Sequence, residues 1–128
     1  MRKVLVVDDH QGFREHVGSV LKDDYQVILA EDGIKALEIL KNEEGIQLVL
    51  LDIVLPWGMD GIKVSKRIKE MKIDVEVVMM SALKDVETVV EAMKLGAMDY
   101  IESTFTDEEL LCFIAETFDK LERKKGNA

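Results

Sequence analysis

Five short runs of aliphatic residues punctuate the chain: Val4 to Val7, Gln26 to Ala30, Leu48 to Leu51, Val75 to Met80 and Met98 to Ile101. Dense apolar runs of this length, bounded by polar residues, are expected of strands buried on both faces of a parallel sheet. Between them the apolar positions switch to helical spacing, at Phe13, Val17, Val20 and Leu21, at Ile34, Leu37 and Leu40, and at Val86, Val89, Val90 and Met93. Two further helices are predicted over about Gly61 to Met71 and Thr106 to Lys124, the last opening on Thr106-Asp107-Glu108-Glu109, which has capping-box spacing. The pattern is a βα unit repeated five times. Crossovers of this length force parallel strands and right-handed units, so the predicted class is α/β, a three-layer sandwich with helices on both faces. There is no internal sequence repeat and no low-complexity stretch. One domain is expected over residues 1–124, with 125–128 a disordered tail or the start of a linker.

Composition narrows the partners. The 128 residues carry 26 acidic against 17 basic side chains, a net charge of −9, which disfavours direct binding to nucleic acid or to an anionic membrane. No apolar run approaches the roughly 20 residues of a membrane span, and Met1-Arg2-Lys3 leads straight into the first strand with no cleavage signal. A cytoplasmic location is expected. The single cysteine, Cys112, sits beside Phe113 and Ile114 and reads as a packing residue in a reducing compartment.

The chemistry gathers at strand ends. Asp8 and Asp9 follow the first run and Asp52 follows the third. In an open α/β sheet the carboxyl ends of the strands form the ligand-binding edge, so if these strands are neighbours three carboxylates converge there. Like charges that close either raise a pKa or recruit a cation. Magnesium suits such a site, because it takes one or two carboxylates, keeps waters and completes its shell with a phosphate. For Asp8-Asp9 taken alone, capping of the next helix explains the pair equally well; coincidence with Asp52 favours the metal. Ser81 ends the fourth strand, where its hydroxyl faces the same edge or simply serves a turn. Tyr100, near the end of the fifth, reads alone as a core aromatic.

Together, Val6-Val7-Asp8-Asp9, Leu51-Asp52-Ile53-Val54-Leu55-Pro56 with Met59-Asp60-Gly61, Met79-Met80-Ser81-Ala82 and Gly96-Ala97-Met98-Asp99-Tyr100-Ile101 form a specific set. In these motifs the chain resembles the receiver domain of two-component response regulators, from Val4 to about Leu121. The resemblance implies a flavodoxin-like fold with strand order 2-1-3-4-5. It implies that Asp52 is the phosphoacceptor, taking a phosphoryl group from a phosphohistidine on a sensor histidine kinase or phosphotransfer protein. It further implies that Asp9, Asp52 and the main-chain carbonyl of Val54 ligate Mg2+, with Asp8 acting through water. Ser81 then hydrogen-bonds a phosphoryl oxygen, and Tyr100 is the switch aromatic that remodels the face of the fourth helix, fifth strand and fifth helix. The implied protein is a signalling switch and not a turnover enzyme.

The chain departs from the family where a lysine and a proline normally follow the switch aromatic: Ser103 and Thr104 stand there. One unit charge pair at ~4 Å in an effective dielectric near 20 is worth about 4 kcal/mol before desolvation is subtracted. Serine supplies a hydrogen bond without that charge, so weakened activation is expected; Lys84, in the loop after Ser81, is most simply read as a solvated side chain and only secondarily as a substitute. Trp57, in a loop one residue longer than the commoner spacing, either shields the site, helps kinase docking or covers the third helix. Val54 has no polar group to position attacking water, so self-dephosphorylation should be slow. His10 and His16 read as surface or first-helix residues with no metal-binding partner at ligand spacing, His10 at most touching the metal's water shell.

Other classes fit less well. A flavin site would need a hydroxyl- and glycine-rich loop where Asp8-Asp9-His10-Gln11 stands, and an aspartyl phosphatase would need a second carboxylate two residues after Asp52, where Val54 lies. The remaining alternative is a phosphate-independent pseudo-receiver used for protein interaction or dimerisation. A homodimer through the fourth and fifth helices, helped by exposed Leu111 or Phe113, is compatible with either reading.

Overall fold

The computed structural model describes residues 1–82 and 86–126. Five strands, β1 (Lys3–Val7), β2 (Gln26–Ala30), β3 (Ile46–Asp52), β4 (Glu76–Ser81) and β5 (Asp99–Glu102), alternate with five helices, α1 (Gln11–Leu21), α2 (Gly33–Asn42), α3 (Gly61–Glu70), α4 (Val86–Lys94) and α5 (Asp107–Gly126). All four strand pairings are parallel, in the order β2-β1-β3-β4-β5. This is the expected flavodoxin-like arrangement.

Alternation along each strand separates two cores. Leu5, Val7, Val49, Leu51, Val77 and Met79 point toward α2, α3 and α4, where they meet Leu37, Leu40, Val64, Ile68 and Ala92. Val4, Val6, Leu48, Leu50, Val78 and Met80 point the other way, onto Val17 and Leu21 of α1 and Leu110, Ile114 and Phe118 of α5. Burial on both faces is why the strands carry no polar alternation, since period-2 side chains all end in a core. Tyr25 stacks on Phe118 with ring centroids 5.4 Å apart, and the Arg2 guanidinium lies 4.8 Å from the same Phe118 ring, closing the end of the second core.

Caps place the helices. Asp32 Oδ1 accepts from the Lys35 N–H at 2.7 Å and Asp60 Oδ1 from the Lys63 N–H at 2.9 Å, each satisfying a donor that the first helical turn leaves unpaired. The capping box at α5 forms in both directions: the Glu109 N–H donates to Thr106 Oγ1 and the Thr106 N–H to Glu109 Oε1, both at 3.1 Å. α5 continues through Gly126, so Lys125 and Gly126 belong to the helix and not to a loose tail. β4 and β5 each begin and end one residue later than the hydrophobic runs suggest, because the Val75 N–H turns to the Ile73 carbonyl (3.0 Å) while the Ser103 N–H extends the sheet to the Ser81 carbonyl (2.9 Å). Among the described residues no helix is long and apolar enough to cross a membrane.

One glycine sets the geometry of the sheet edge. A Cβ on Gly61 would sit 2.3 Å from the Asp52 carbonyl oxygen and 2.8 Å from Ile53 Cα, both backbone atoms that cannot swing aside. The Gly61 N–H uses that closeness to donate to the Ile53 carbonyl at 2.8 Å, tying the start of α3 to the end of β3. Gly61→Ala should therefore lose at least about 2 kcal/mol in urea denaturation. Gly12→Ala is the control: its Cβ meets nothing within 4 Å on exposed α1, so it should be neutral or stabilising by up to about 1 kcal/mol.

Candidate functional site

Parallel pairing of β1 with β3, Val7 opposite Leu51, delivers Asp8, Asp9 and Asp52 to one edge. The Asp8 N–H adds one more rung toward β2, donating to the Ala30 carbonyl at 3.1 Å, and its carboxylate is 4% exposed. Asp8 Oδ1 accepts the His10 N–H at 2.8 Å, and Arg14 Nη1 donates to the Asp8 main-chain carbonyl at 2.8 Å. Asp9 is exposed. Asp52 is the last residue of β3, paired in register with Met80; the Ile53 N–H still donates to the Met80 carbonyl at 3.1 Å before the chain turns away. The Val54 N–H then folds back onto Asp52 Oδ1 at 3.1 Å.

Asp8, Asp9, Asp52, Val54, Ser81 and Ser103 share one cleft of about 500 Å3 with His10, Phe13, Ala82 and Thr104. Ser81 is almost fully buried at the end of β4, and the Ser103 N–H bonded to its carbonyl brings the segment after β5 over the cleft. The sequence reading had not assigned Phe13 and Thr104 to this cleft. Phe13 packs against Phe105 at a centroid distance of 5.8 Å, linking α1 to the same segment, and only the adjacency of Thr104 to Ser103 is visible in the sequence. No lysine or arginine is among the described residues lining the cleft, and Ser103 occupies the wall expected for the lysine. Lys84, the candidate substitute, lies outside the described residues.

Tyr100 stands apart from the cleft. It pairs with Met79 in the β4–β5 ladder and packs, half-buried, on the core shared with α2, α3 and α4, where burial and the neighbouring Glu102 raise its phenol pKa. Trp57 is 77% exposed at φ 67° and lines no wall of the cleft, so its ring gives no cover to Asp52. Leu111 and Phe113 are half-buried against the α1–α5 core, which corrects the expectation that they are exposed. Both histidines are exposed at the surface, and each lies beside a carboxylate. His16 Nε2 lies 2.7 Å from Asp107 Oδ1, joining α1 to the first turn of α5, and His10 Nδ1 lies 3.3 Å from Asp9 Oδ1 and 3.5 Å from Asp8 Oδ1.

The Asp52 carboxyl is pushed up to about 7 from an ordinary value of 3.8. Burial is the largest cause; the Val54 N–H opposes it, and the Asp8 charge, a hydrogen bond with the Asp8 carboxyl and the Asp9 charge raise it further. A carboxyl held protonated chiefly by burial, with two further aspartates adding to the effect, marks a place where another negative charge is poorly accommodated. The donor set of Asp8, Asp9, Asp52 and the Val54 carbonyl, all hard oxygens, fits Mg2+.

A pH dependence follows. Between about pH 4 and 7 the folded chain keeps on Asp52 a proton that the unfolded chain has released, so without divalent ions stability falls as pH rises through that window. The group is partly exposed, which discounts the effect to about 1–2 kcal/mol. Denaturation midpoints in chelator at about pH 5 and about pH 8 should show that loss for wild type and a flatter profile for Asp52→Asn.

Similarity to known proteins agrees with this geometry. A family model described as the response regulator receiver domain matches residues 4–115. The sporulation initiation phosphotransferase F of Bacillus subtilis is 37% identical over 109 residues, covering 84% of this chain and 86% of that protein. A putative NtrX-like response regulator of Rickettsia bellii is 33% identical over 126 residues, 97% of this chain and only 26% of that protein. The structure of a CheY-like receiver domain protein from Methanospirillum hungatei superposes with a TM-score of 0.88 at 26% identity, covering 97% of this chain and 98% of that one. Fold, acidic edge and relatives converge: the chain belongs to the response regulator receiver domains, the phosphoacceptor switches of two-component signalling.

Proposed function

We propose that Asp52 is the residue that accepts the phosphoryl group, donated by the phosphohistidine of a sensor histidine kinase or of a phosphotransfer protein. The observation that carries this reading is the shared cleft: Asp52 ends β3 within reach of Asp8, Asp9, Ser81 and Ser103 at the carboxyl edge of the sheet. Phosphoryl transfer asks little covalent work of a protein beyond a nucleophile, alignment and fixed charges. Asp52 is the nucleophile, with its Oδ1 held by the Val54 N–H and its backbone by the Gly61 contact. Receiver domains generally bind Mg2+ at an acidic pocket, and here Asp9, Asp52 and the Val54 carbonyl would hold it, with Asp8 acting through water. When bound, the ion would favour the ionised Asp52 carboxylate that burial and the neighbouring aspartates otherwise disfavour. The buried Ser81 hydroxyl donates to a phosphoryl oxygen.

Tyr100 is the side chain that carries the change outward. Its ring packs on the core beneath α4, on the same β4–β5 ladder that ends in Ser81, so a shift of Ser81 toward the phosphoryl group alters the packing Tyr100 sees. Ser103 at the cleft wall gives no positive charge to the phosphorylated state, which weakens activation relative to a lysine in that place. These roles extend to residues 1–124 acting as one regulatory domain, with the phosphate-independent interaction module as the reading that remains if Asp52 takes no phosphate.

Incubation with magnesium and acetyl phosphate should add one phosphoryl group by intact mass to wild type and none to Asp52→Asn. Absence of the adduct on wild type, with acetyl phosphate and with kinase alike, would sink the reading. Ser103→Lys should strengthen the Tyr100 response to beryllofluoride, read as a chemical-shift change, by a factor of several, consistent with about 1 kcal/mol of added pairing after screening.

A further inference from the structure

One large side chain on the loop that leaves Asp52 has no task in the chemistry. Trp57 is the sole tryptophan of the chain, 77% exposed, and belongs to neither hydrophobic core. Its backbone sits at φ 67° and that of Gly58 at φ 70°, and the Met59 N–H closes the pair by donating to the Pro56 carbonyl at 3.5 Å, which makes a type I′ turn. Glycine, asparagine and aspartate enter left-handed backbone readily, whereas a bulky aromatic there is a strained exception. Two unfavourable features thus coincide at one position, a left-handed tryptophan and a large ring left in water, and no packing within the domain offsets either. The turn itself is well held. Lys63 Nζ donates to the Gly58 carbonyl at 3.1 Å, and Met59 rests so close to the start of α2 that a Cβ on Gly33 would meet the Met59 carbonyl oxygen at 2.7 Å. That contact sets the turn on the α2 side of Asp52, away from β5 and Tyr100. Val54, 58% exposed at the cleft, adds a second apolar side chain on the same loop.

We propose that Trp57 is the docking anchor for the protein that delivers the phosphoryl group, and that this donor presents beside its phosphohistidine an apolar pocket rimmed by lysine or arginine. Tryptophan is among the residues that most often carry interface energy, and it does so by filling such a pocket. A donor that brings its histidine to Asp52 has to cover the mouth of the cleft, and so meets the loop leaving it. Charge selects the rim: the chain carries a net −9, and Asp9 after β1 and Glu31 after β2 stand exposed on this edge, so a basic partner is attracted while a second copy of the chain is repelled. The position on the α2 side sets the anchor apart from the face that Tyr100 remodels. Trp57 is then a specificity residue, acting on protein donors and not on small-molecule ones. The proposal rests on the role given to Asp52.

Two phosphodonors separate docking from chemistry: acetyl phosphate, and the autophosphorylated sensor kinase of the source organism that transfers fastest to the full wild-type chain. Trp57→Ala should lower kcat/KM for transfer from that kinase by at least about tenfold, mostly through KM, while acetyl phosphate labels Asp52 at a rate changed by less than about twofold. Trp57→Asn supplies the Asn-Gly pair that a type I′ turn favours, so its urea midpoint should rise while kinase transfer falls as in Trp57→Ala. Trp57→Phe should restore part of the transfer. Carried as 5-fluorotryptophan, the single ring gives one fluorine resonance, which should shift when unphosphorylated kinase is added, in wild type and in Asp52→Asn alike. Kinase transfer indifferent to Trp57, acetyl phosphate labelling lost in parallel with it, a fluorine resonance unmoved by kinase, or a wild type labelled by acetyl phosphate and by no kinase would each overturn the anchor and leave Asp52 in its role. A wild type labelled by neither donor overturns the role of Asp52, and the anchor with it.

Discussion

Burial of the Asp52 carboxyl beside two other aspartates is the constraint around which the sheet edge is arranged. Parallel pairing of β1 and β3 leaves no freedom to separate the carboxylates, since Val7 opposite Leu51 puts both strand ends side by side. Burial of Asp8 at 4% exposure and partial burial of Asp52 remove the water that would screen them. The result is a carboxyl at Asp52 that holds its proton to about 7. A group poised this way changes state readily when a cation or a phosphoryl group arrives, and that is the property a switch requires.

Rigidity has to surround such a site or the strand ends would splay apart. Two hydrophobic layers grip the sheet from both faces, and the close approach of Gly61 to Asp52 pins the third helix to the strand end. Gly33 has a similar part on the neighbouring helix, where a Cβ would stand 2.5 Å from Val64 Cγ2 and 2.7 Å from the Met59 carbonyl oxygen. Stability and function are thus coupled. The packing that holds α2 and α3 against the sheet also prevents the carboxylates from relaxing, in line with strain persisting only where surrounding structure over-determines it.

The wall of the cleft formed after β5 carries hydroxyls and no charged side chain among the described residues. Ser103 is held there by the backbone bond from its N–H to the Ser81 carbonyl and brings a hydroxyl and no charge. On the opposite wall, His10 adds an imidazole, its Nδ1 3.3 Å from Asp9 Oδ1.

Sequence alone determined the element order, the two-sided burial of the strands, the capping box at Thr106 and Glu109, and which residues stand at strand ends. Those properties are local: hydrophobic period, turn chemistry and cap chemistry act within a few residues. The resemblance of the Asp8-Asp9, Asp52, Ser81 and Tyr100 motifs then made the strand order legible. Tertiary structure decided the rest. That His10 meets Asp9, that His16 meets Asp107, that Phe13 packs on Phe105 and that Trp57 stands in solvent depend on side-chain directions at the junction of three or four elements. The pKa of Asp52 likewise depends on burial and on charges brought from another strand. Spacing along a chain records which residues share a face, and only the packed sheet brings distant faces within the few ångströms over which charge and hydrogen bonding act.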